Sequence, residues 1–215
     1  SSNSAGNGGG IANYGTSTVT NSTISGNSAT SIGGGGIFNT QTGSTLALTN
    51  STISGNSATN GGGIYNDINA TLTLMNSTLS SNSATSTGGG VANIGPLTVT
   101  NSTFSGNSAT SNGGGLYNDN NSPTLTNVTF SGNSANGNGG GMLNSGGVSS
   151  PTLKNVILAN STSGRDCVNI LGASLNAGSS NNLIEDTGAN ACGLTNDVNG
   201  NIIGSDPNLG SLTGS

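Results

Sequence analysis

Few side chains in this sequence of 215 residues could take part in acid–base or metal chemistry. Its charged residues are Lys154, Arg165, six aspartates and Glu185, and it contains no histidine. A Ser-His-Asp triad and a histidine-ligated metal site are therefore excluded. Two cations could not neutralise a phosphate backbone, so we expect no nucleic-acid partner. We predict neither a cofactor nor a metal ion.

The first 160 residues contain two acids, Asp67 and Asp119, and each follows a Tyr-Asn pair. Polysaccharide hydrolases need two carboxylates on one face, and lyases need a base near clustered acids. The period of the repeat described below places these aspartates two coils apart, or roughly 10 Å at the spacing of β-strands. We therefore predict that the protein is not an enzyme, with a degenerate polysaccharide-active enzyme as one alternative.

The other five acids lie beyond residue 160, where they could bind calcium. Glu185 and Asp186 precede Asp197 by 11 to 12 residues, which is about half a coil. This spacing does not bring them together, so we expect solvated turn residues.

Threonines flank an inward apolar residue in one block of the repeat and would form two outward columns. Such a Thr-x-Thr array resembles the ice-binding face of some β-helical antifreeze proteins, although threonine is also common on exposed strands. The complete pairs are Thr18 and Thr20, Thr98 and Thr100, and Thr124 and Thr126. In another column Phe38, Tyr65 and Tyr117 should point outward, where aromatic rings could stack on sugars. An ice- or glycan-binding module is thus a second alternative.

The elements that must position these side chains repeat along the chain. GGG followed by an apolar residue occurs six times between Gly8 and Gly139, so the period is about 26 residues. Each period also holds an alternating block such as Leu97–Thr100 and a block such as Thr103–Ser105, and glycine and asparagine bound every block. Alternation indicates strands, and glycine and asparagine favour turns over helices. We predict an all-β parallel β-helix with three sheets and about eight coils.

Recurring asparagines would stack at the strand spacing and bond side chain to side chain, as in cross-β ladders. Sequons such as Asn21-Ser22-Thr23 recur with the repeat. Because we expect stacked asparagines to be inaccessible, we predict no glycosylation from them. The longest apolar run, Val156–Ala159, is far too short to span a membrane.

Cys167 and Cys192 are 25 residues apart, which is nearly one period. Equivalent residues in successive coils lie about 4.8 Å apart, inside the range of Cα separations in disulfides. We predict that the two cysteines are bonded. A disulfide agrees with an extracytoplasmic location.

Several motifs resemble a known family. FSGN at Phe104–Asn107 and Phe130–Asn133 is similar to the FxxN repeat of chlamydial polymorphic outer-membrane proteins, and GGGI, GGGV and GGGL resemble its GGA-[ILV] partner motif. More broadly, the chain resembles bacterial secreted right-handed parallel β-helix proteins with a pectin-lyase-like fold. Residues 182–210 resemble the end of such domains in large surface proteins. The resemblance implies a right-handed solenoid that is secreted or on the bacterial surface, as a shaft or adhesive passenger.

We predict regular repeats over residues 1–160 and degenerate coils of the same solenoid over 161–215, where GGG is absent. The leading hypothesis is a non-catalytic extracellular structural or adhesive solenoid. Its first coil lacks charges and proline, so it could stack head to tail on another copy or on further coils of a longer chain. Residues 204–215 could cover the last coil or extend away from it. Surface glycans are a further candidate partner.

Overall fold

A computed structural model describes residues 2–210, and these residues form a parallel β-solenoid. Each strand pairs with its equivalents about one period away, in unbroken register. The prediction of an all-β parallel solenoid with a period near 26 residues is confirmed. The shortest sheets have six strands and the longest has eight, so the solenoid makes about seven turns.

Each of the first six coils contributes one strand to each of four sheets, which we name A to D in the order that the chain visits them, and the C-terminal coils extend only sheets B and D. The strands of sheet A are Ser4–Ala5, Ser28–Ala29, Ser57–Ala58, Ser83–Ala84, Ser108–Ala109 and Ser134–Ala135. The strands of sheet B are Ile11–Asn13, Ile37–Asn39, Ile64–Asn66, Val91–Asn93, Leu116–Asp119, Met142–Ser145 and Cys167–Ile170. The strands of sheet C are Thr16–Thr20, Thr45–Thr49, Thr71–Met75, Leu97–Thr100, Thr124–Thr126 and Thr152–Lys154. The strands of sheet D are Thr23–Ser25, Thr52–Ser54, Thr78–Ser80, Thr103–Ser105, Thr129–Ser131, Ile157–Ala159, Leu183–Ile184 and Ile202–Ile203.

Sheet A corrects the prediction of three sheets. The Ser-Gly-Asn-Ser-Ala segment that follows the third predicted strand in most coils was not predicted as a strand, but its Ser-Ala dipeptide pairs with the same dipeptide in the neighbouring coils. The alanines are buried, as Ala84 and Ala109 show, while their serines are less buried. A strand of two residues is too short to show alternation in a sequence, so stacking, not local pattern, defines this sheet.

The apolar core runs along the solenoid axis and is built from the inward residues of sheets B, C and D. In sheet C, Leu48, Leu74 and Val99 are stacked in register and completely buried. In sheet D, Phe104 and Phe130 stack with ring centroids 4.6 Å apart. The predicted alternation of the strands is therefore correct in both sheets.

The GGG motif is required by close approach between coils. Gly61 has a φ of +61°, which favours glycine, and a Cβ on it would lie 2.3 Å from the carbonyl oxygen of Ile64. A Cβ on Gly62 would lie 2.3 Å from the carbonyl oxygen of Ser83 in the next coil. The motif lets the backbone between sheets A and B pack against its neighbours with no side chain between them.

The C-terminal coils carry the predicted disulfide. Cys167 and Cys192 are bonded, with their Cα atoms 5.0 Å apart. A 3₁₀ turn, Gly188–Asn190, lies just before Cys192, and no helix among residues 2–210 could cross a membrane. Of the tail that was expected to cap the last coil or extend from it, residues 211–215 lie outside the described residues.

Substitutions on either side of one strand of sheet C test this register. We expect Leu74→Asp to lower the free energy of unfolding by several kcal/mol, because it places a carboxylate in a dry apolar core. Thr73→Asp should change it by no more than about 0.5 kcal/mol, because Thr73 faces outward and is half-buried. Urea unfolding followed by circular dichroism measures both. Equal losses in the two variants would contradict the register.

Candidate binding faces

Ten asparagine side chains are committed to two buried ladders. In sheet B, the Nδ2 of each asparagine donates to the Oδ1 of the asparagine in the next coil, at 2.7 to 2.9 Å. This ladder consists of Asn13, Asn39, Asn66, Asn93 and Asn118. A primary amide both donates and accepts, so the column satisfies its own buried polar groups.

The second buried ladder follows sheet D, at Asn27, Asn56, Asn82, Asn107 and Asn133. The backbone N–H and the Nδ2 of Asn82 both donate to the Oδ1 of Asn107, at 3.1 and 2.9 Å. The same Nδ2 also donates to the carbonyl oxygen of Ile53 at 2.9 Å. These amides join three coils and are not available to a ligand.

The predicted threonine columns lie on the outer side of sheet C. Thr18, Thr98 and Thr124 align in one column, and Thr20, Thr100 and Thr126 in the other. Thr18, Thr20, Thr98 and Thr124 are exposed, and Thr100 and Thr126 are half-buried. Ala47, Met75 and Lys154 interrupt the columns at the expected coils. The face is therefore discontinuous, as the sequence predicted.

A more regular hydroxyl array lies on sheet D, and the sequence analysis missed it. One column contains threonine in five successive coils, and the column two residues later contains serine in the same coils. The threonines are Thr23, Thr52, Thr78, Thr103 and Thr129, and the serines are Ser25, Ser54, Ser80, Ser105 and Ser131. The Thr-apolar-Ser triplet occurs in each of these five repeats of the sequence. The alignment of its threonines and serines into two outer columns was not predicted.

The sheet D array is flat, uncharged and periodic. Its hydroxyls repeat about every 4.8 Å along the solenoid and about every 6.6 Å along a strand. Thr23 is exposed and the other four threonines are half-buried, whereas Ser80 is only 8% exposed. Leu209 and Gly210 of the C-terminal tail line a surface cavity with Ser105 and Ser131, so the tail lies beside the serine column.

An exposed third ladder separates the outer columns of sheets C and D. Asn76 donates to Asn50 at 3.1 Å, Asn101 to Asn76 at 3.2 Å, and Asn127 to Asn101 at 2.9 Å. Asn155 continues this ladder by donating to Asn127 at 3.0 Å. Each of these asparagines turns the corner with a φ near +50°, which asparagine tolerates better than most residues.

The aromatic column differs from the prediction of an exposed sugar-stacking stripe. Phe38 and Tyr65 stack at 5.3 Å, but Phe38 is only 7% exposed and Tyr65 is half-buried. Tyr117 is also half-buried and is separated from this pair by Ala92. These side chains lie outside the main apolar core. The glycine-rich backbone packs close to Tyr65, because a Cβ on Gly33 would lie 3.0 Å from Tyr65 Cδ2. The column is a second, thin apolar layer.

The acids beside these tyrosines are two coils apart, as expected. Asp67 accepts hydrogen bonds from Thr40 Oγ1 at 2.6 Å and from the N–H of Ile68 at 2.8 Å. Burial raises the pKa of Tyr65 and the negative charge of Asp67 adds to the rise. Burial and then Asp119 likewise raise the pKa of Tyr117. Both tyrosines therefore keep their O–H groups at neutral pH.

The C-terminal acids are arranged differently from the expectation of isolated turn residues. The N–H of Asp166 donates to Asp186 at 2.8 Å and the N–H of Asp186 donates to Asp166 at 3.0 Å, while Glu185 lines the same surface cavity. No group of three acids or cysteines among residues 2–210 is placed to hold a metal ion.

The buried member of this acidic group is Asp166, which is only 2% exposed. Burial raises its pKa, against the hydrogen bonds from Ser161 and from the backbone of Asp186. The folded state thus holds this proton more tightly than the unfolded chain. The protonated Asp166 carboxyl therefore favours the folded state at low pH, and this contribution to the free energy of unfolding is lost as the pH rises through the raised pKa.

Two segments of the chain match the family model described as Chlamydia polymorphic membrane protein (Chlamydia_PMP) repeat, at residues 50–67 and 101–119. Each match runs from the exposed corner through sheets D and A and the GGG motif to the end of a sheet B strand. The matched unit is therefore the part of the solenoid repeat that forms sheets D, A and B, without the strand of sheet C. This similarity suggests an outer-membrane or surface protein with an adhesin-like solenoid. No curated protein and no solved structure matches the chain significantly.

The same amide-to-acid change should lower the free energy of unfolding much more in a buried ladder than in an exposed one. In Asn66→Asp, the new carboxylate oxygen faces the Oδ1 of Asn93 and the carbonyl oxygen of Pro96, which now accept at 2.9 and 3.1 Å. We expect a loss of about 3 kcal/mol or more in the free energy of unfolding. Asn101→Asp should cost about 0.5 kcal/mol or less, because its ladder is exposed. Guanidinium unfolding of both variants measures this difference, and similar losses would show that the buried ladder is not special.

Proposed function

We propose that this protein is a non-catalytic structural and adhesive solenoid of the bacterial cell surface. The observation that carries the proposal is the use of the polar side chains: the buried amides bond coil to coil, and the outer faces present uncharged hydroxyls. The similarity to the polymorphic membrane protein repeat supports a surface location. The disulfide between Cys167 and Cys192 agrees with a location outside the cytoplasm.

Stacking of copies end to end would extend such a rod. The first strands of sheets A to D pair on one side only within residues 2–210. At that end Ile11 and Val19 are half-buried, whereas their partners Ile37 and Leu48 are completely buried.

The opposite end also exposes apolar surface, because Val198 in the last coil is 50% exposed. A second copy that adds its last coil to the first coil of this one would cover apolar residues at both ends and continue sheet D, the sheet that reaches the last coil. Such a contact is heterologous, so it propagates into a filament instead of closing. Further coils of a longer chain would cover the first coil in the same way.

The sheet D array supports a second candidate function, which is binding of ice or of a glycan. Its threonine and serine columns are unbroken over five coils, unlike the columns of sheet C. A rigid array with a fixed repeat suits a ligand that is itself periodic, because each added contact costs little further ordering. This candidate places the contact on Thr78, Thr103 and Thr129 and not on the aromatic column.

A charge at the open end tests the stacking proposal. Val19→Lys directs a cation inward at the edge strand, a device that blocks edge-to-edge pairing. We expect the wild-type protein to form filaments at rising concentration and Val19→Lys to stay monomeric, as seen by sedimentation velocity and electron microscopy. The matched control is Thr18→Lys, which adds the same charge to the same strand but points outward.

The control should form filaments like the wild type, provided that circular dichroism shows both variants to be folded. A wild-type protein that stays monomeric at high concentration, with no filaments, would contradict stacking of copies. The rod would then be one segment of a longer shaft.

Lysine substitutions on two faces test the second candidate. If sheet D binds ice or a glycan, Thr103→Lys should reduce thermal hysteresis or glycan-array signal at least tenfold, because it breaks the middle of the array. Thr98→Lys, on sheet C, should leave the signal unchanged. A wild-type protein without either activity would rule this function out.

A further inference from the structure

The exposed asparagine ladder carries glycosylation sequons, and the buried ladders carry none. Four of its asparagines, and Asn21 at the same corner of the first coil, are followed two residues later by threonine, whereas every buried asparagine of the sheet D ladder lies in Asn-Ser-Ala. The five are Asn21, Asn50, Asn76, Asn101 and Asn127, and all are exposed. The expectation that stacked asparagines would be inaccessible is therefore wrong for this column, because it lies at an outer corner.

The backbone at this corner presents both groups that define a sequon. Asn50 has a φ of +49° and is exposed, while Ser51 is 3% exposed and its N–H and Oγ are hydrogen-bonded. Thr52 then points outward from sheet D. The asparagine amide and the threonine hydroxyl thus lie on the outside, and the residue between them is anchored inside.

We infer that this row of asparagines accepts N-linked sugars. The reaction would join Nδ2 to C1 of a sugar that a transferase supplies as its nucleotide or lipid diphosphate. The bond between C1 and the diphosphate oxygen breaks, the diphosphate leaves with the bonding electrons, and the amide proton passes to a base of the transferase. No oxidant or metal of this chain is needed.

Hydrogen bonding within the row predicts an order of reaction. The Nδ2 groups of Asn76, Asn101 and Asn127 each donate to the asparagine of the preceding coil. Asn50 accepts from Asn76, but its own Nδ2 donates to no atom among the described residues. The Nδ2 of Asn50 can therefore reach a transferase without giving up a hydrogen bond of its own, as can the Nδ2 of Asn21, and both should react before Asn101.

The experiment treats the folded, disulfide-bonded protein with a soluble sequon-specific N-glycosyltransferase and a nucleotide-activated hexose. Intact mass counts the added hexoses. The chain is cleaved at aspartate, because trypsin has only Lys154 and Arg165 to cut at, and tandem mass spectrometry of the peptides assigns each hexose to one asparagine. We expect hexose on Asn50 at a rate at least threefold higher than on Asn101. Thr52→Ala, which leaves the amide in place, should remove the Asn50 product.

A new sequon in a buried ladder is the matched control. Ala109→Thr converts Asn107-Ser108-Ala109 into a sequon whose asparagine is completely buried. It should accept no hexose when folded and should accept it in urea. Asn69-Ala70-Thr71, an exposed sequon outside the row, shows in every sample that the transferase is active.

Two results would overturn the inference. One is a folded wild-type protein in which Asn69 is modified and none of the five row asparagines is. The other is material from the native organism that carries no sugar at any of the five. If Ala109→Thr does not fold, the amounts of hexose on Asn50, Asn69 and Asn101 of the wild-type chain still test the inference. Filament formation is measured separately, so either proposal can fail without the other.

Discussion

The buried amide ladder is the interaction on which the rest of this structure depends. A primary amide is one of the few side chains that can donate to one copy of itself and accept from another. A column of asparagines at the strand spacing therefore passes a side-chain hydrogen bond from coil to coil, and Asn39 and Asn66 also donate to the carbonyl oxygens of Thr71 and Pro96. It does so only if every coil keeps the same register. A slip of one residue would expose Asn66 and bury Tyr65, so the ladder and the apolar core enforce the same alignment.

This constraint explains why so little of the sequence remains for chemistry. Many positions must carry the same type of residue as the equivalent position in the previous coil. Where the backbones of two coils lie in contact, as at Gly62, there is room only for glycine. The side chains that are free of this constraint point outward from sheets C and D and from the corner between them. Repetition turns each of them into a column, so any surface function must use an array instead of a single pocket. A periodic ligand, an enzyme that reads a repeated sequon, and another copy of the rod are all suited to such a surface.

Sequence reasoning succeeded where the signal was a period and failed where it was a contact between coils. The spacing of GGG, the alternation around Leu74 and the separation of the cysteines were enough to predict the solenoid, the core and the disulfide. Sheet A was missed because two residues carry no pattern. Phe38 was placed on an open face because the glycine-rich backbone that covers it comes from a neighbouring segment. The two Asn-Ser motifs of each coil differ by one residue, alanine or threonine, yet one asparagine is buried and the other is exposed at a corner.

The C-terminal coils show what replaces the ladder where the repeat degrades. Asn118 donates to Ser149 Oγ and to the carbonyl oxygen of Asn121, so the chain of amides that begins at Asn13 stops there. Asn144 then has no partner for its Oδ1 among the described residues, although the side chain is completely buried. Its Nδ2 donates to Asn169 and lies 3.7 Å from Cys192 Sγ. Hydrogen bonding between asparagines thus resumes for one step and ends at Asn169, which donates to the carbonyl oxygen of Cys192 at 2.9 Å. The disulfide between Cys167 and Cys192 joins the next two coils by a covalent bond where the ladder ends.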